Sequence, residues 1–153
     1  MSNTQNAAPE RRQSSHHLIQ ELVGVRDHML ALYSDLAAQH PFRDEESVTG
    51  LLEQFCQRLI DYTADTHFRL YRYVDEKKER RRAVLELADK IYPTILSTTD
   101  SILDFNDKYD FEHNRDAISL ETLEQDLSRL GESIADRIEL EDQLIQVLSM
   151  GRA

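Results

Sequence analysis

From about Ser14 onward, apolar side chains recur every three or four positions along most of the chain, the spacing of amphipathic helices. Leu18, Leu22, Val25, Met29, Leu32 and Leu36 alternate steps of four and three, and so fall on one stripe of a first helix. Pro41 ends it, because the residue before a proline avoids helical geometry. A second helix is expected from the acidic stretch Asp44 to Ser47, where carboxylates favour a helix N-terminus. It continues through Leu51, Leu52, Phe55, Cys56, Leu59, Ile60 and Tyr62 to about Tyr73. The run DEKKERRR, Asp75 to Arg82, is helix-compatible but has no apolar face and reads as a surface connection.

A third helix covers about Ala83 to Phe105, with Val84, Leu87, Ile91, Ile95 and Leu103 expected inside. Pro93 is expected to kink it or split it. Asn106 to Asn114 reads as a polar connector. A fourth helix starts around Asp116 or Ser119 and uses Leu120, Leu123, Leu127, Leu130, Ile134, Leu144 and Leu148. Gly131 falls within it, at a cost of about 1 kcal/mol relative to alanine. Long amphipathic helices with short connections imply an all-α fold, an elongated antiparallel four-helix-type bundle. Residues 1–13 are polar and read as a disordered leader, leaving residues 14–150 as a single helical domain. Four glycines and three prolines in 153 residues leave few sites for strand turns, which excludes a sheet-rich fold.

Charge narrows the choice of partner. Eighteen basic against 29 acidic residues give a formal charge of −11. Such a surface repels nucleic acid and anionic lipid and attracts basic protein surfaces. Between Glu121 and Asp142 eight acids face only Arg129 and Arg137. That run is either a solvated outer face or an electrostatic mimic of nucleic acid, and composition leaves both open. The single cysteine, Cys56, has no internal disulfide partner, which suits the reducing cytoplasm. No run approaches the roughly 20 apolar residues of a membrane span, and the N-terminus lacks the apolar core of a secretion signal.

Two stripes are interrupted by polar residues. Extending the fourth-helix seam beyond Ile134 calls for apolar residues at 137 and 141, yet Arg137 and Glu141 stand there, neighbours on one face. On the second helix the row Cys56, Ile60, Thr63, His67, Tyr71 brings His67 onto a face that began apolar, with Asp61 and Tyr62 a turn or more earlier. If these helices pack together, a histidine, an arginine and carboxylates meet inside one end of the bundle, where buried charges require pairing. A structural network, a partner-binding surface and a metal or catalytic site are three readings of that cluster.

The residues weigh against metal. Carboxylate-bridged dinuclear bundles use a Glu-x-x-His pair on each of two helices, and no such pair occurs here. Hemerythrin-like bundles need several inward histidines, and only His67 and His28 fall in helices at plausible depth. His16 and His17 belong to the frayed start of the first helix, and Cys56 lacks companions for zinc. No phosphate-cradling glycine loop and no nucleophile signature is present, so neither a cofactor nor catalysis is expected.

The string FCQRLIDYTADTHFRLY, Phe55 to Tyr71, resembles the FCQxLxDYxSAGHFxxYE pattern of the Rsd/AlgQ regulators of the primary sigma factor. RIELEDQLIQVL, Arg137 to Leu148, is similar to that family's closing RFxLEDxLIxVL helix, and IYPTI (Ile91 to Ile95) and LDFND (Leu103 to Asp107) keep the order between them. The resemblance implies an anti-sigma factor that binds the housekeeping sigma factor, chiefly its region 4, a basic helix-turn-helix domain. Such binding keeps sigma from RNA polymerase core and promoter DNA. Carried over by position, Asp61, Tyr62, His67 and Phe68 belong to the characteristic helix, and Arg137, Leu140, Glu141 and Asp142 to the closing one. The first helix departs: where the family reads LxDRWLxxRxxL this chain has LIQELVGVRDHM, with Gln20, Glu21 and Leu22 replacing Asp-Arg-Trp, while Arg26 is kept. SAGHF reads TADTHF here, and the Glu after Tyr71 is Arg72. The expected partner is therefore the primary sigma factor, with no direct nucleic acid and no membrane. The alternatives are a metal-binding or sensory hemerythrin-like bundle and a regulator of another cytoplasmic protein.

Overall fold

A computed structural model describes residues 4–42, 45–75, 81–110 and 120–149. The expected starts at Asp116 or Ser119 and most of the Asp75 to Arg82 connection lie outside these residues. Helix α1 spans Thr4–Ala37, α2 Glu45–Asp65, α3 Arg72–Asp75, α4 Arg82–Lys108 and α5 Leu123–Ser149. The α1 helix thus reaches into the stretch expected as a leader, whose Gln, Ala, Glu and Arg residues are compatible with helix. Between α2 and α3 the backbone widens without stopping: Thr66–Tyr71 form a π-helical turn, so the three make one rod.

The four long rods pack as two antiparallel pairs, α1 with α2 and α4 with α5. Contacts at the ends of each pair fix the directions. Tyr33 meets Phe55, and Glu21 meets Arg69, so residue numbers fall along α1 as they rise along α2. Arg137 reaches Thr99 while Asp126 reaches Lys108, which sets α5 against α4. Arg26 meets Asp142 and Tyr33 meets the Leu127 carbonyl, which joins the pairs along α1 and α5. By contrast α2 and α4 touch sparsely.

Two apolar cores lie along the bundle. One gathers Met29, Leu52, Phe55, Leu59, Ile102, Leu127 and Ile134; the other gathers Leu22, Leu70, Ile91, Ile95, Leu144 and Leu148. Each fully buried side chain of this kind contributes about 1.5–3 kcal/mol. Leu22, Met29 and Leu36 are fully buried, as their stripe on α1 requires, whereas Leu18, Val25 and Leu32 are half-buried at its margins.

Two expectations for the third helix fail. Pro93 neither splits nor ends α4, which runs unbroken through it because Ile91 and Ile95 on either side are both anchored in the core. Leu103 is exposed; the buried row runs through Ile95, Thr98, Ile102 and Phe105, and Leu103 lies about 100° off that row. The helix also continues to Lys108, absorbing the start of the expected connector. On α5, Gly131 has a packing reason. A Cβ there would collide with the Tyr33 hydroxyl, which donates a 2.9 Å hydrogen bond to the Leu127 carbonyl.

Candidate functional site: a polar layer beneath an apolar cleft

Between the two cores every long rod contributes polar atoms at one level. The Arg137 and Glu141 side chains of α5 are 1% and 0% exposed and pair at 3.2 Å. The Tyr62 hydroxyl of α2 donates to Glu141 Oε1 at 2.5 Å. From α4, Thr99 and Thr98 accept from Arg137 at 2.8 and 3.2 Å, with the Ile95 carbonyl at 3.5 Å. From α1, Arg26 lies 3.8 Å from Glu141 and donates to Asp142 at 2.8 Å. The Arg137 guanidinium also stands 5.5 Å from the Tyr62 ring centroid, a cation–π contact.

Burial pushes the Glu141 carboxyl above its ordinary range, and Arg137, the Tyr62 hydroxyl and Arg26 only partly offset it. Burial, then the Glu141 charge, pushes the Tyr62 hydroxyl well up. Burial opposes the charge on Arg26, but the Asp142 hydrogen bond and the Asp142 and Glu141 charges raise it on balance. Two cations and two carboxylates therefore meet in balance. Sliding any helix by one turn would set a buried charge against hydrocarbon, so the layer admits one axial register.

The histidine expected in this cluster is not there. The π-helical turn turns Thr66, Leu70 and Tyr71 inward and leaves His67 exposed. His67 keeps its place in the row with Ile60, Thr63 and Tyr71, but that row faces an open cleft rather than the buried layer. The layer also lies between two cores rather than inside one end of the bundle. His28 is exposed as well, so neither of the two histidines expected at depth points into the bundle. Among the described residues no group of three or more His, Cys, Asp or Glu could hold a metal ion.

Above the layer, in the gap between the α2–α3 rod and α4, is an open cleft of about 350 Å³. Ile60, Thr63, Ala64, His67, Phe68 and Tyr71 form one wall; Tyr92, Ile95, Leu96, Thr99 and Leu103 form the other, with Arg137 between. The four exposed large apolar side chains of the described residues are Phe68 (58%), Leu96 (47%), Leu103 (44%) and Tyr92 (39%), and all four line this cleft. Scattered exposed apolar residues mean little, but a set gathered in one concavity marks an interaction site. Asp100 and Asp104, exposed on α4, follow directly on the lining residues Thr99 and Leu103. Asp61, half-buried one residue past Ile60, accepts from Gln57 at 3.1 Å and Arg58 at 3.3 Å.

The eight residues singled out by sequence thus divide. His67, Phe68 and Arg137 line the cleft; Tyr62 and Glu141 lie in the layer below it. Arg26 and Asp142 pair across α1 and α5, and Asp61, next to the lining residue Ile60, does not itself line the cleft. Sequence reasoning missed Tyr92, Leu96 and Leu103, although a signal was present. With Thr99 they step by four, three and four, a second stripe on α4 beside the buried one. Thr66 and Thr98 carried no such signal.

Residues 1–149 match the family model described as "Regulator of RNA polymerase sigma(70) subunit, Rsd/AlgQ". The chain is similar to the "Regulator of sigma D" of Yersinia pseudotuberculosis (serotype O:1b, strain IP 31758), 31% identical over 150 residues, covering 95% of this chain and 88% of that protein. It is 34% identical over 149 residues to the protein of the same name from Enterobacter sp. (strain 638), with the same coverage of both chains. No solved structure matches the chain.

Proposed function

The chain belongs to the Rsd/AlgQ family of regulators of the RNA polymerase sigma(70) subunit, and from that footing we propose that it seats region 4 of the primary sigma factor in the cleft between α2 and α4. Membership makes it an anti-sigma factor for the housekeeping sigma and a regulator rather than an enzyme. The finer reading concerns where and how it binds. Sigma held at region 4 is withheld from RNA polymerase core and from promoter DNA, without the chain touching DNA itself. No helix among the described residues is long and apolar enough to cross a membrane; the reading assigns the action to the cytoplasm, where transcription takes place.

The carrying observation is the gathering of Phe68, Tyr92, Leu96 and Leu103 in one cleft on an acidic chain. In this reading the basic domain brings apolar side chains to the cleft and cationic ones to the acidic surface around it. Apolar anchors supply affinity, while the charge of −11 supplies steering and partner choice. In this reading Phe68 and His67 make contact, Asp61 receives a cationic rim residue, and Tyr62, Arg26, Arg137, Glu141 and Asp142 hold the helices that carry them.

The test is titration of the purified chain with isolated region 4 at low and high salt. A stoichiometric complex that weakens with salt and is lost in Phe68→Ala, with helix content unchanged, is the expected result. Absence of a complex at low salt, or full affinity in Phe68→Ala, would overturn the reading.

A further inference from the structure

The π-helical turn is held from two sides. Such turns are rare, and they are found frequently at functional sites. On its inner side the Thr66 hydroxyl donates to the Tyr62 carbonyl at 2.8 Å and lies within reach of Glu141, which itself accepts from the Tyr62 hydroxyl. On its outer side the Arg69 guanidinium donates to Asp65 Oδ1 at 2.5 Å and pairs with Glu21 of α1. Between these anchors His67 and Phe68 stand outward with their rings edge to face, 4.9 Å apart. Asp65 and Glu21 are two of the positions at which this chain departs from the pattern it resembles, and both converge on Arg69.

We infer that Arg69, clamped by Asp65 and Glu21, is a positioning residue: it fixes the π-helical turn against α1 and thereby sets the direction in which Phe68 enters the partner. The inference rests on the reading that Phe68 contacts sigma, and it adds how that contact is made ready. Arg69 is half-exposed, so the ion pairs add little to folding. Their effect is on binding, because a side chain already held in its bound direction loses less entropy on docking.

Charge gives the experiment its sign. Removing a cation makes an acidic chain more acidic, which by long-range attraction strengthens binding to a basic partner. The clamp demands the reverse. Affinity for full-length primary sigma factor is measured for the parent, Arg69→Ala, Arg69→Lys, Phe68→Leu, the double variant Arg69→Ala/Phe68→Leu, and Arg82→Ala. The last removes a similar cation from the exposed Arg82–Glu86 pair outside the cleft.

Arg69→Ala is expected to weaken binding about tenfold at unchanged thermal stability. The same change in the Phe68→Leu background is expected to cost less than about twofold, since there is little left to aim. Arg69→Lys keeps a cation between Asp65 and Glu21 and is expected to regain most of the affinity; Arg82→Ala is expected to bind as tightly as the parent or more so. Equal losses from Arg69→Ala in both backgrounds would mean direct contact and overturn the inference. Unchanged or tighter binding by Arg69→Ala, while Phe68→Leu binds weakly, would sink the clamp alone. Full affinity in Phe68→Leu would remove the seat itself, and the clamp with it.

Discussion

The Tyr62 hydroxyl donates a 2.5 Å hydrogen bond to the Glu141 carboxylate, joining α2 to α5 across 79 positions of chain at the one level where both apolar cores are interrupted. Both side chains are fully buried, and the same carboxylate holds Arg137. Tyr62→Phe removes one donor and leaves the ion pair, and is expected to lower folding stability by about 1–3 kcal/mol. Arg137→Ala leaves Glu141 buried without its main counter-charge and is expected to cost about 3–5 kcal/mol. Urea unfolding of the two variants checks the order; a larger loss in Tyr62→Phe would contradict it.

Stability is expected to depend on pH through two carboxylates of opposite sign. Burial holds Glu141 above its ordinary range, so between its unfolded and folded values the folded chain binds more protons. Stability therefore falls as pH rises through that window and is level above it. Asp126 is the reverse. Burial raises it, but hydrogen bonds from Lys108 at 2.6 Å and Tyr109 at 2.6 Å outweigh burial and lower it. Its stabilisation is complete above the ordinary aspartate range and is lost as pH falls through its folded value. Urea titrations across the acid range of Glu141→Gln and Asp126→Asn are expected each to remove one slope and keep the other.

Gly131→Ala would add about 1 kcal/mol if only helix propensity mattered. The Tyr33 hydroxyl occupies the required space, so a loss of about 1–3 kcal/mol is expected instead. In a Tyr33→Ala background the same substitution is expected to become stabilising. Thermal melts of the four chains of this cycle decide the matter; a destabilising Gly131→Ala in both backgrounds would mean that Tyr33 is not the obstacle.

Cys56 is buried in α2, and burial, with the Asp110 charge, pushes its thiol up to about 12. Near pH 8 roughly one thiol in ten thousand is then thiolate, the form that reacts. Iodoacetamide is expected to label the native chain far more slowly than the urea-unfolded one. Rapid native labelling would place Cys56 at the surface.

Leu96 and Leu103 are exposed apolar residues that no core uses, so Leu96→Ser and Leu103→Ser are expected to leave the melting temperature within about 2 °C of the parent. If the cleft seats region 4, each weakens the complex roughly tenfold or more. A large drop in melting temperature would show instead that the cleft wall supports the fold.

Much of this molecule was legible along the chain because helix periodicity is local. The stripe from Leu18 to Leu36, the seam from Leu123 to Ile134 and the break in that seam at Arg137 and Glu141 follow from spacing alone. The strings Phe55 to Tyr71 and Arg137 to Leu148 carried the family. Tertiary structure decided the rest. Whether Pro93 interrupts a helix depends on what holds its two sides, and here Ile91 and Ile95 are both held by the core. Whether His67 enters the layer or the cleft depends on how the Thr66–Tyr71 turn sits against the other helices, where Thr66 reaches Glu141 and Arg69 pairs with Glu21. The partners of Arg137 came from α2 and α4, and the cleft exists because α2 and α4 stand apart while each packs closely on another helix. Sequence sets the phase of each helix; the distance between helices, and so the site, arises only when all four bury their stripes together.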